Sequence, residues 1–167
     1  MSQPHFTQIE LKNWKNFTRV NVALANRVFM VGPNASGKSN FLDAFRLLRD
    51  LVLEGGGLAK AVAHREGLPK IRSLFARGAS TEVMVKVHVS NGEGGWVYEL
   101  AFTHRSSKDQ TPIVKRERVD RIIPGGQLEN LLSRPDEQDK ADREQLTQTA
   151  IQQVNRNGKF RELADFF

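Results

Sequence analysis

The sequence predicts an α/β fold in which a mixed sheet surrounds a strand–loop–helix unit and carries an antiparallel β-meander and a C-terminal helical segment. Three observations favour this class. A short apolar run, residues 28–31, precedes a glycine-rich loop and a stretch with helical periodicity. Apolar residues then alternate at every second position within residues 83–102, as they do in strands. Residues 127–160 are polar and of mixed charge, a pattern typical of exposed helices and a polar linker.

The strand–loop–helix unit follows two strands near the N-terminus. Residues 6–11 and 20–24 alternate apolar and polar side chains, and a turn joins them. Residues 28–31 are continuously apolar and end at a glycine, which predicts a strand buried on both faces. The helix begins at Lys38 and must end by the glycines of residues 55–57. Its predicted apolar face consists of Phe41, Leu42, Phe45, Leu48 and either Leu51 or Val52.

The β-meander is predicted over residues 81–121. Valines occupy alternate positions of residues 83–89, and aromatic or aliphatic side chains do the same in residues 96–102, after a glycine-rich connector. A third strand is expected over residues 113–121. Beyond it, two helical pieces broken near Pro135 and a polar linker complete the chain.

Composition limits the classes of protein. The 167 residues suffice for one domain with a sizeable core. The chain has no cysteine, which excludes disulfides and thiolate chemistry, and its four histidines fall at no metal-ligand spacing. A net charge of +6 favours polyanionic partners, either nucleotide or nucleic acid. Because no apolar run could span a bilayer and no secretory signal is evident, we expect a cytoplasmic protein without a membrane partner.

The loop at residues 32–39, GPNASGKS, matches the pattern G-x-x-x-x-G-K-[ST] in full. Glycines let the backbone approach phosphates closely, and successive N–H groups at the start of a helix bind phosphate oxygens. Lys38 would place a positive charge at the β- and γ-phosphates, and the Ser39 hydroxyl would bind Mg²⁺. The pattern therefore predicts a P-loop NTPase lobe with ATP and Mg²⁺ as cofactors. Its predicted nucleotide ligands include Gly32, Ala35, Ser36, Gly37, Lys38 and Ser39.

Residues 9–45 resemble the opening of the SMC-like and RecF-like branch of ABC-type ATPases. That branch includes the overcoming-lysogenization-defect proteins and the AAA-annotated ATPases of anti-phage systems. The shared elements are a strand, an Asn16-Phe17 turn, a second strand, and the sequence G-x-N-x-x-G-K-S-N before a helix. The resemblance implies that Asn34 lies beside the γ-phosphate and that Lys15 helps to hold the base or a phosphate, unless Lys15 is a solvated surface side chain. Asn40, also within the predicted nucleotide site, is expected to pack or cap near the loop.

A complete ATPase of this branch needs further motifs. One is a Walker B strand ending in Asp-Glu, and another is a signature motif of the L-S-G-G-Q type. We find no Walker B strand, so no catalytic residue is assigned. We therefore expect an N-terminal portion, with an ATP-binding lobe at residues 1–125 and the start of the next lobe at residues 126–167. The apolar side chains of Leu163, Phe166 and Phe167 are expected to need a cover.

Gln127 has three interpretations. Residues 125–127, Gly-Gly-Gln, resemble the core of a signature motif, although no Walker B strand follows. Gln127 could instead bind Mg²⁺ or water at the junction of two lobes. The third interpretation is a plain Gly-Gly turn.

The resemblance implies an ATPase in DNA maintenance or phage defence, whose heads dimerise when nucleotide binds. Its partners would then be nucleotide, the missing C-terminal half or a partner protein, and DNA. The candidate DNA or partner surface is the basic stretch with Lys115, Arg116, Arg118 and Arg121, unless it is a solvated strand face. Two alternatives stay open: the nucleotide-binding subunit of an ABC transporter, and a non-catalytic module that senses ATP.

Overall fold

One six-stranded sheet organises the fold in the computed structural model, which describes residues 3–74, 82–92 and 94–167. The strand order is β2-β1-β3-β4-β5-β6, and every neighbouring pair is antiparallel. The strands are β1 (His5–Trp14), β2 (Phe17–Ala23), β3 (Val83–Ser90), β4 (Gly95–His104), β5 (Pro112–Ile122) and β6 (Leu128–Arg134). The helices are α1 (Lys38–Val52), α2 (Leu58–Ala63), α3 (Leu68–Ile71), α4 (Glu137–Ala141) and α5 (Arg161–Phe166), with 3₁₀ turns at Arg143–Thr147 and Gly158–Phe160.

The core lies on one face of the sheet, as the alternation of β3 and β4 predicts. Val85 and Val87 lie opposite Leu100 and Tyr98, and all four side chains are fully buried. Helix α1 packs on this core through Phe41, Ala44, Leu47, Leu48 and Leu51. The helical prediction is confirmed, except that Leu42 is 45% exposed. Thr81, the first residue of the predicted meander, lies outside the described residues, as do Glu93 of its connector and residues 1–2.

The predicted mixed sheet is wrong for the described part of the chain. Residues 28–31 were expected to form its buried strand, but they have no regular secondary structure. Phe29 is 87% exposed and Val31 is 94% exposed. An apolar run shows that burial is favourable, but a strand also needs a neighbour to satisfy its backbone. No described strand pairs with residues 28–31, and β2 remains an edge of the sheet.

The predicted helix after residue 126 is also wrong at its start, because Leu128–Arg134 forms β6. The spacing of Leu128, Leu131 and Leu132 suits a helix. In the structure, pairing with β5 satisfies the backbone from Leu128, opposite Ile122, to Arg134, opposite Glu117. Tertiary pairing overrides local spacing here. Farther along, α4 and α5 supply the expected helical character in short pieces.

A buried ionic cluster joins β5, β6 and α4. The side chains of Arg134, Glu117 and Asp139 are each 0% exposed. Arg134 Nη1 lies 3.0 Å from Glu117 Oε2, and Arg134 Nη2 lies 2.6 Å from Asp139 Oδ1. Arg134 also donates hydrogen bonds to two backbone carbonyls. These partners compensate for the removal of three charges from water.

Glu117 and Gln152 fasten a segment that has no helix or strand of its own. The backbone N–H groups of Ala150 and Ile151 donate to the Glu117 carboxylate at 2.6 and 3.1 Å. The side-chain oxygen of Gln152 accepts hydrogen bonds from Thr149 and from the backbone N–H of Leu58, at the start of α2. Residues 149–152 are therefore tied both to the sheet and to the helical layer.

The C-terminal apolar side chains, which were expected to need a cover, pack against other parts of this chain. Leu163 is fully buried, and Phe166 and Phe167 pack against the ring of Phe6. Phe167 also lies edge-on to Tyr98 with ring centroids 5.4 Å apart. None of the helices in the described ranges has the length and apolar character of a membrane span.

Candidate functional site: a glycine-rich loop at the start of α1

The glycine-rich loop leads directly into α1. Gly37 precedes the helix with φ of 101°, in the left-handed region, and Ala35 has φ of 64°. Gly37 is buried, whereas residues 31–36 are exposed. A Cβ atom added to Gly37 would lie 2.4 Å from Asn16 Nδ2, so both its backbone conformation and its surroundings require glycine.

The loop encloses a cradle of about 310 Å³ that is lined by residues 34–40. Lys38 Nζ donates to the carbonyl oxygens of Gly32 and Pro33, each at 2.7 Å, and lies 3.4 Å from Ser36 Oγ. The lysine charge is therefore held by the loop itself. A concave backbone, a helix N-terminus and a lysine form a donor set that fits phosphate groups.

The structure brings the predicted residues 32–40 together on one loop and the first turn of α1. Asn34 and Ser39 are exposed there. Asn40 Nδ2 donates to Asn16 Oδ1 at 2.8 Å, which agrees with the expected packing role of Asn40. Sequence reasoning gave Asn16 no role of its own, and its place in the Asn-Phe turn was the one signal available.

Lys15 lies beside α1, in an ion pair. Its Nζ is 2.7 Å from Asp43 Oδ2, and Arg65 binds the same carboxylate through two nitrogens at 3.0 Å. Arg65 also binds Asp50 at 2.9 Å. Burial raises the pKa of Asp43, but hydrogen bonds and charges from Lys15 and Arg65 outweigh burial and hold this pKa below its ordinary value of 3.8. The network fixes the β1–β2 turn against α1 and α2.

Replacing Asp43 with asparagine is expected to lower the free energy of unfolding at pH 7 by about 1–3 kcal/mol. The pKa of Asp43 is lower in the folded protein than in the unfolded chain. Its contribution is therefore present above about pH 4 and lost as the pH falls further. The difference between Asp43→Asn and wild type should shrink from pH 7 to pH 3, as measured by urea unfolding.

The matched control is Asp165→Asn. Asp165 is exposed, and no ion pair to it is seen in the described part of the chain. Its replacement should change the unfolding free energy by less than about 0.5 kcal/mol at either pH. An Asp43→Asn difference that is the same at pH 7 and pH 3 would contradict the proposed linkage.

The predicted metal ligand Gln127 lies in the turn between β5 and β6. Gly125 and Gly126 adopt left-handed φ angles of 92° and 79°, and Gln127 O accepts a hydrogen bond from Ile123 N at 3.0 Å. These features match the plain Gly-Gly turn. Across residues 3–74, 82–92 and 94–167, no group of three or more His, Cys, Asp or Glu side chains could hold a metal ion.

The structure does not bring Gln127 together with Ser39. The β5–β6 turn lies at the end of the sheet where β1 begins, because Ile122, Gly95, Ser90 and His5 are successive cross-strand neighbours. The loop contacts the turn that follows β1, at the opposite end. β6 and β2 are also opposite edges of the sheet.

Two residues of the basic stretch of β5, Arg116 and Arg118, form part of an ion-paired face. Arg116 pairs with Glu99 and lies 3.6 Å from Glu82, and Arg118 Nε lies 2.7 Å from Asp120 Oδ2. Neighbouring strands add Lys86–Glu99 and Arg19–Glu10 pairs. Much of the positive charge on this face is thus neutralised locally, as in a solvated strand face.

Comparison with known proteins identifies the class. The family described as "AAA domain, putative AbiEii toxin, Type IV TA system" matches residues 27–153, which include the loop and most of the sheet. The chain belongs to this family of AAA domains. Membership in a family of AAA domains implies nucleotide binding. Together with the relatives described next, it confirms the resemblance to SMC-like and RecF-like ATPases.

Three relatives illustrate the branch. "Endonuclease GajA" of Bacillus cereus (strain VD045) is 33% identical over 88 residues, 53% of this chain and 14% of GajA. "DNA replication and repair protein RecF" of Acaryochloris marina (strain MBIC 11017) is 36% identical over 87 residues, 44% of this chain and 23% of that protein. RecF of Thermosynechococcus vestitus (strain NIES-2133 / IAM M-273 / BP-1) is 29% identical over 145 residues, 75% of this chain. The chain spans at most 38% of the length of these relatives.

Proposed function

We propose that this chain is the ATP-binding N-terminal lobe of an SMC/RecF-like ATPase that acts in DNA maintenance or phage defence. The observation that carries the proposal is the loop at residues 32–39, with its buried left-handed Gly37 at the start of α1. The names of the relatives, a DNA replication and repair protein and an endonuclease, support the link to DNA.

The loop residues have distinct roles in this proposal. The backbone N–H groups of residues 35–39 and the Lys38 ammonium would bind the β- and γ-phosphates, and Ser39 Oγ would bind Mg²⁺. Asn34, exposed on the loop, would lie beside the γ-phosphate. Because Arg65 already holds Asp43 at two points, Lys15 can leave that carboxylate for the nucleotide at modest cost. When bound, MgATP would supply the charged phosphate groups that two copies of the ATP-binding lobe contact when they dimerise.

Exposed apolar surface beside the loop supports a further partner. A cavity of about 520 Å³ runs from Lys38 along residues 28–31 to Phe17, Val20 and Val22. Monomeric soluble proteins rarely leave such a contiguous apolar surface uncovered. In this proposal, the remainder of the ATPase or a partner protein adds to the β2 edge and covers residues 28–31. The division of the chain after residue 125 stays a prediction, and β6 pairs with β5 across it.

The two carboxylates of α1 favour a chain that binds ATP but does not hydrolyse it without a partner. Asp43 and Asp50 are both held by Arg65. The contacts of Asp43 with Lys15 and Arg65 lower the pKa of this carboxylate, which makes Asp43 a weak general base. This observation also favours the second candidate, a module that senses ATP and leaves catalysis to a partner.

Replacing Lys38 with alanine is expected to weaken MgATP binding by about 10- to 100-fold, because one charge-assisted contact to phosphate is removed. Isothermal titration calorimetry measures the affinity, and phosphate release measures turnover. Neither the wild type nor Lys38→Ala should turn over ATP at ordinary rates without its partner.

The matched control is Lys140→Ala, since Lys140 is 66% exposed on α4 and pairs only with the exposed Glu137 among the described residues. It should bind MgATP as the wild type does. Failure of the wild-type chain to bind MgATP would contradict the proposed function. Rapid turnover that depends on Lys38 would overturn the claim that catalysis needs a partner.

A further inference from the structure

Three successive residues at the end of β1 and in the turn after it contact the start of α1: Trp14, Lys15 and Asn16. Trp14 Nε1, at the end of β1, donates to the carbonyl oxygen of Asn40 at 2.7 Å. Asn16 Oδ1 accepts from Asn40 Nδ2 at 2.8 Å. Lys15 Nζ lies 2.7 Å from Asp43 Oδ2. Because β1 is paired with both β2 and β3, these contacts tie the start of α1 to the sheet.

The amide of Asn16 also packs against the backbone of Gly37. An ideal Cβ on Gly37 would lie 2.4 Å from Asn16 Nδ2 and 3.0 Å from Asn16 Oδ1. Only a residue without a side chain fits between Asn16 and the loop. Asn16 thus contacts both the last loop residue and, through Asn40, the first turn of α1.

The rest of the loop has few external restraints. In the described ranges, the hydrogen bonds of residues 32–36 run to one another and to Lys38. Its fixed end is therefore Gly37, where Asn16 lies. A loop held in its binding conformation before the ligand arrives loses less entropy on binding.

We propose that Asn16 is a positioning residue for the phosphate-binding loop, an inference that rests on the proposed nucleotide binding. Asn16 holds Gly37 and Asn40 in the geometry that points the backbone N–H groups at the phosphates. It acts through these residues and not through a contact with the base. Removing its side chain should therefore weaken the binding of every ligand that occupies the cradle, including inorganic pyrophosphate.

The test compares Asn16→Ala, Asn40→Ala and the double variant by calorimetry with MgATP, MgADP and pyrophosphate. Asn16→Ala should weaken each ligand by about three- to tenfold, the value of one hydrogen bond. Asn16 and Asn40 act as a pair. The fold-decrease in affinity of the double variant should therefore be smaller than the product of the fold-decreases of the two single variants. The thermal unfolding midpoint should be unchanged, since Asn16 is exposed.

Asn21→Ala is the matched control. Asn21 lies in the same hairpin, and its side chain also makes one exposed hydrogen bond, from Gln8 Nε2 at 2.8 Å. It should bind all three ligands as the wild type does. If Asn16→Ala does not fold, Asn16→Ser removes the same amide with a smaller change.

The outcomes separate this inference from the proposed function. A wild-type chain that binds no nucleotide overturns the proposed function. Wild-type binding that is weakened in Lys38→Ala but retained in full by Asn16→Ala overturns the positioning role alone. The positioning role is also overturned if Asn16→Ala weakens the binding of MgATP but not of pyrophosphate. It is likewise overturned if the effects of the two substitutions on the binding free energy are fully additive in the double variant.

Discussion

Replacing Arg134 with alanine is expected to lower the free energy of unfolding by about 3–5 kcal/mol. It leaves the buried carboxylate of Glu117 without its cation, and it leaves Asp139 with Arg156 alone. The side chains of Arg134, Glu117 and Asp139 are fully buried. Arg134 also donates to the carbonyl oxygens of Gln145 and Gln148, which would lose this partner. Urea unfolding followed by far-ultraviolet circular dichroism measures the change.

Arg19→Ala is the control for this prediction. Arg19 binds one carboxylate oxygen of Glu10 through Nε and Nη2 at 3.1 and 2.9 Å, and its side chain is 73% exposed. Arg134 uses the same two nitrogens to bind Asp139, but in a buried site. Exposed pairs contribute little, and the loss should be below about 1 kcal/mol. Similar losses for Arg134→Ala and Arg19→Ala would show that burial does not set the strength of the cluster.

Replacing Gly37 with alanine is expected to weaken MgATP binding at least about 100-fold. A left-handed backbone conformation is strained for alanine, and the loop must move because the new Cβ would clash with its neighbours. The added Cβ would lie 2.4 Å from Asn16 Nδ2 and 2.9 Å from Phe17 Cζ. Both atoms belong to the turn that anchors the loop, so the clash would displace the cradle. Calorimetric titration with MgATP measures the affinity.

Gly125→Ala separates backbone strain from displacement of the loop. Gly125 has a similar φ of 92°, and an added Cβ would meet nothing within 4 Å. This variant should be slightly destabilised and bind MgATP as the wild type does. A Gly37→Ala variant with wild-type affinity would show that the loop adopts its binding conformation without a glycine.

Hydrophobic periodicity predicted the parts of the fold in which local pattern and tertiary contacts agree. The valines of β3 and the apolar side chains of β4 alternate because one face of each strand meets the core. Helix α1 has a helical repeat for the same reason. The glycine-rich loop was predictable because its glycines and lysine have spacing requirements that ordinary surface loops lack.

The remaining features depend on partners that lie far away in the sequence. Residues 28–31 have the composition of a buried strand, but a sequence pattern does not show whether a neighbouring strand is present. The leucines of β6 fit a helical spacing, yet β5 is available for pairing. The pairing of Arg134 with Glu117, 17 positions away, had no visible signal in a region of mixed charge. In the candidate site, the contacts of Lys15 and Asn16 with α1 were hidden for the same reason.

The buried carboxylate of Glu117 also determines how parts of the chain open. Residues 149–152 form no regular element, and such segments usually fluctuate independently of the core. Here their N–H groups are held by Glu117 in the sheet, and Gln152 in turn holds the first N–H of α2. An opening of this segment would expose a charged group and release the start of α2. We therefore expect the segment, β5 and α2 to behave as one cooperative folding unit.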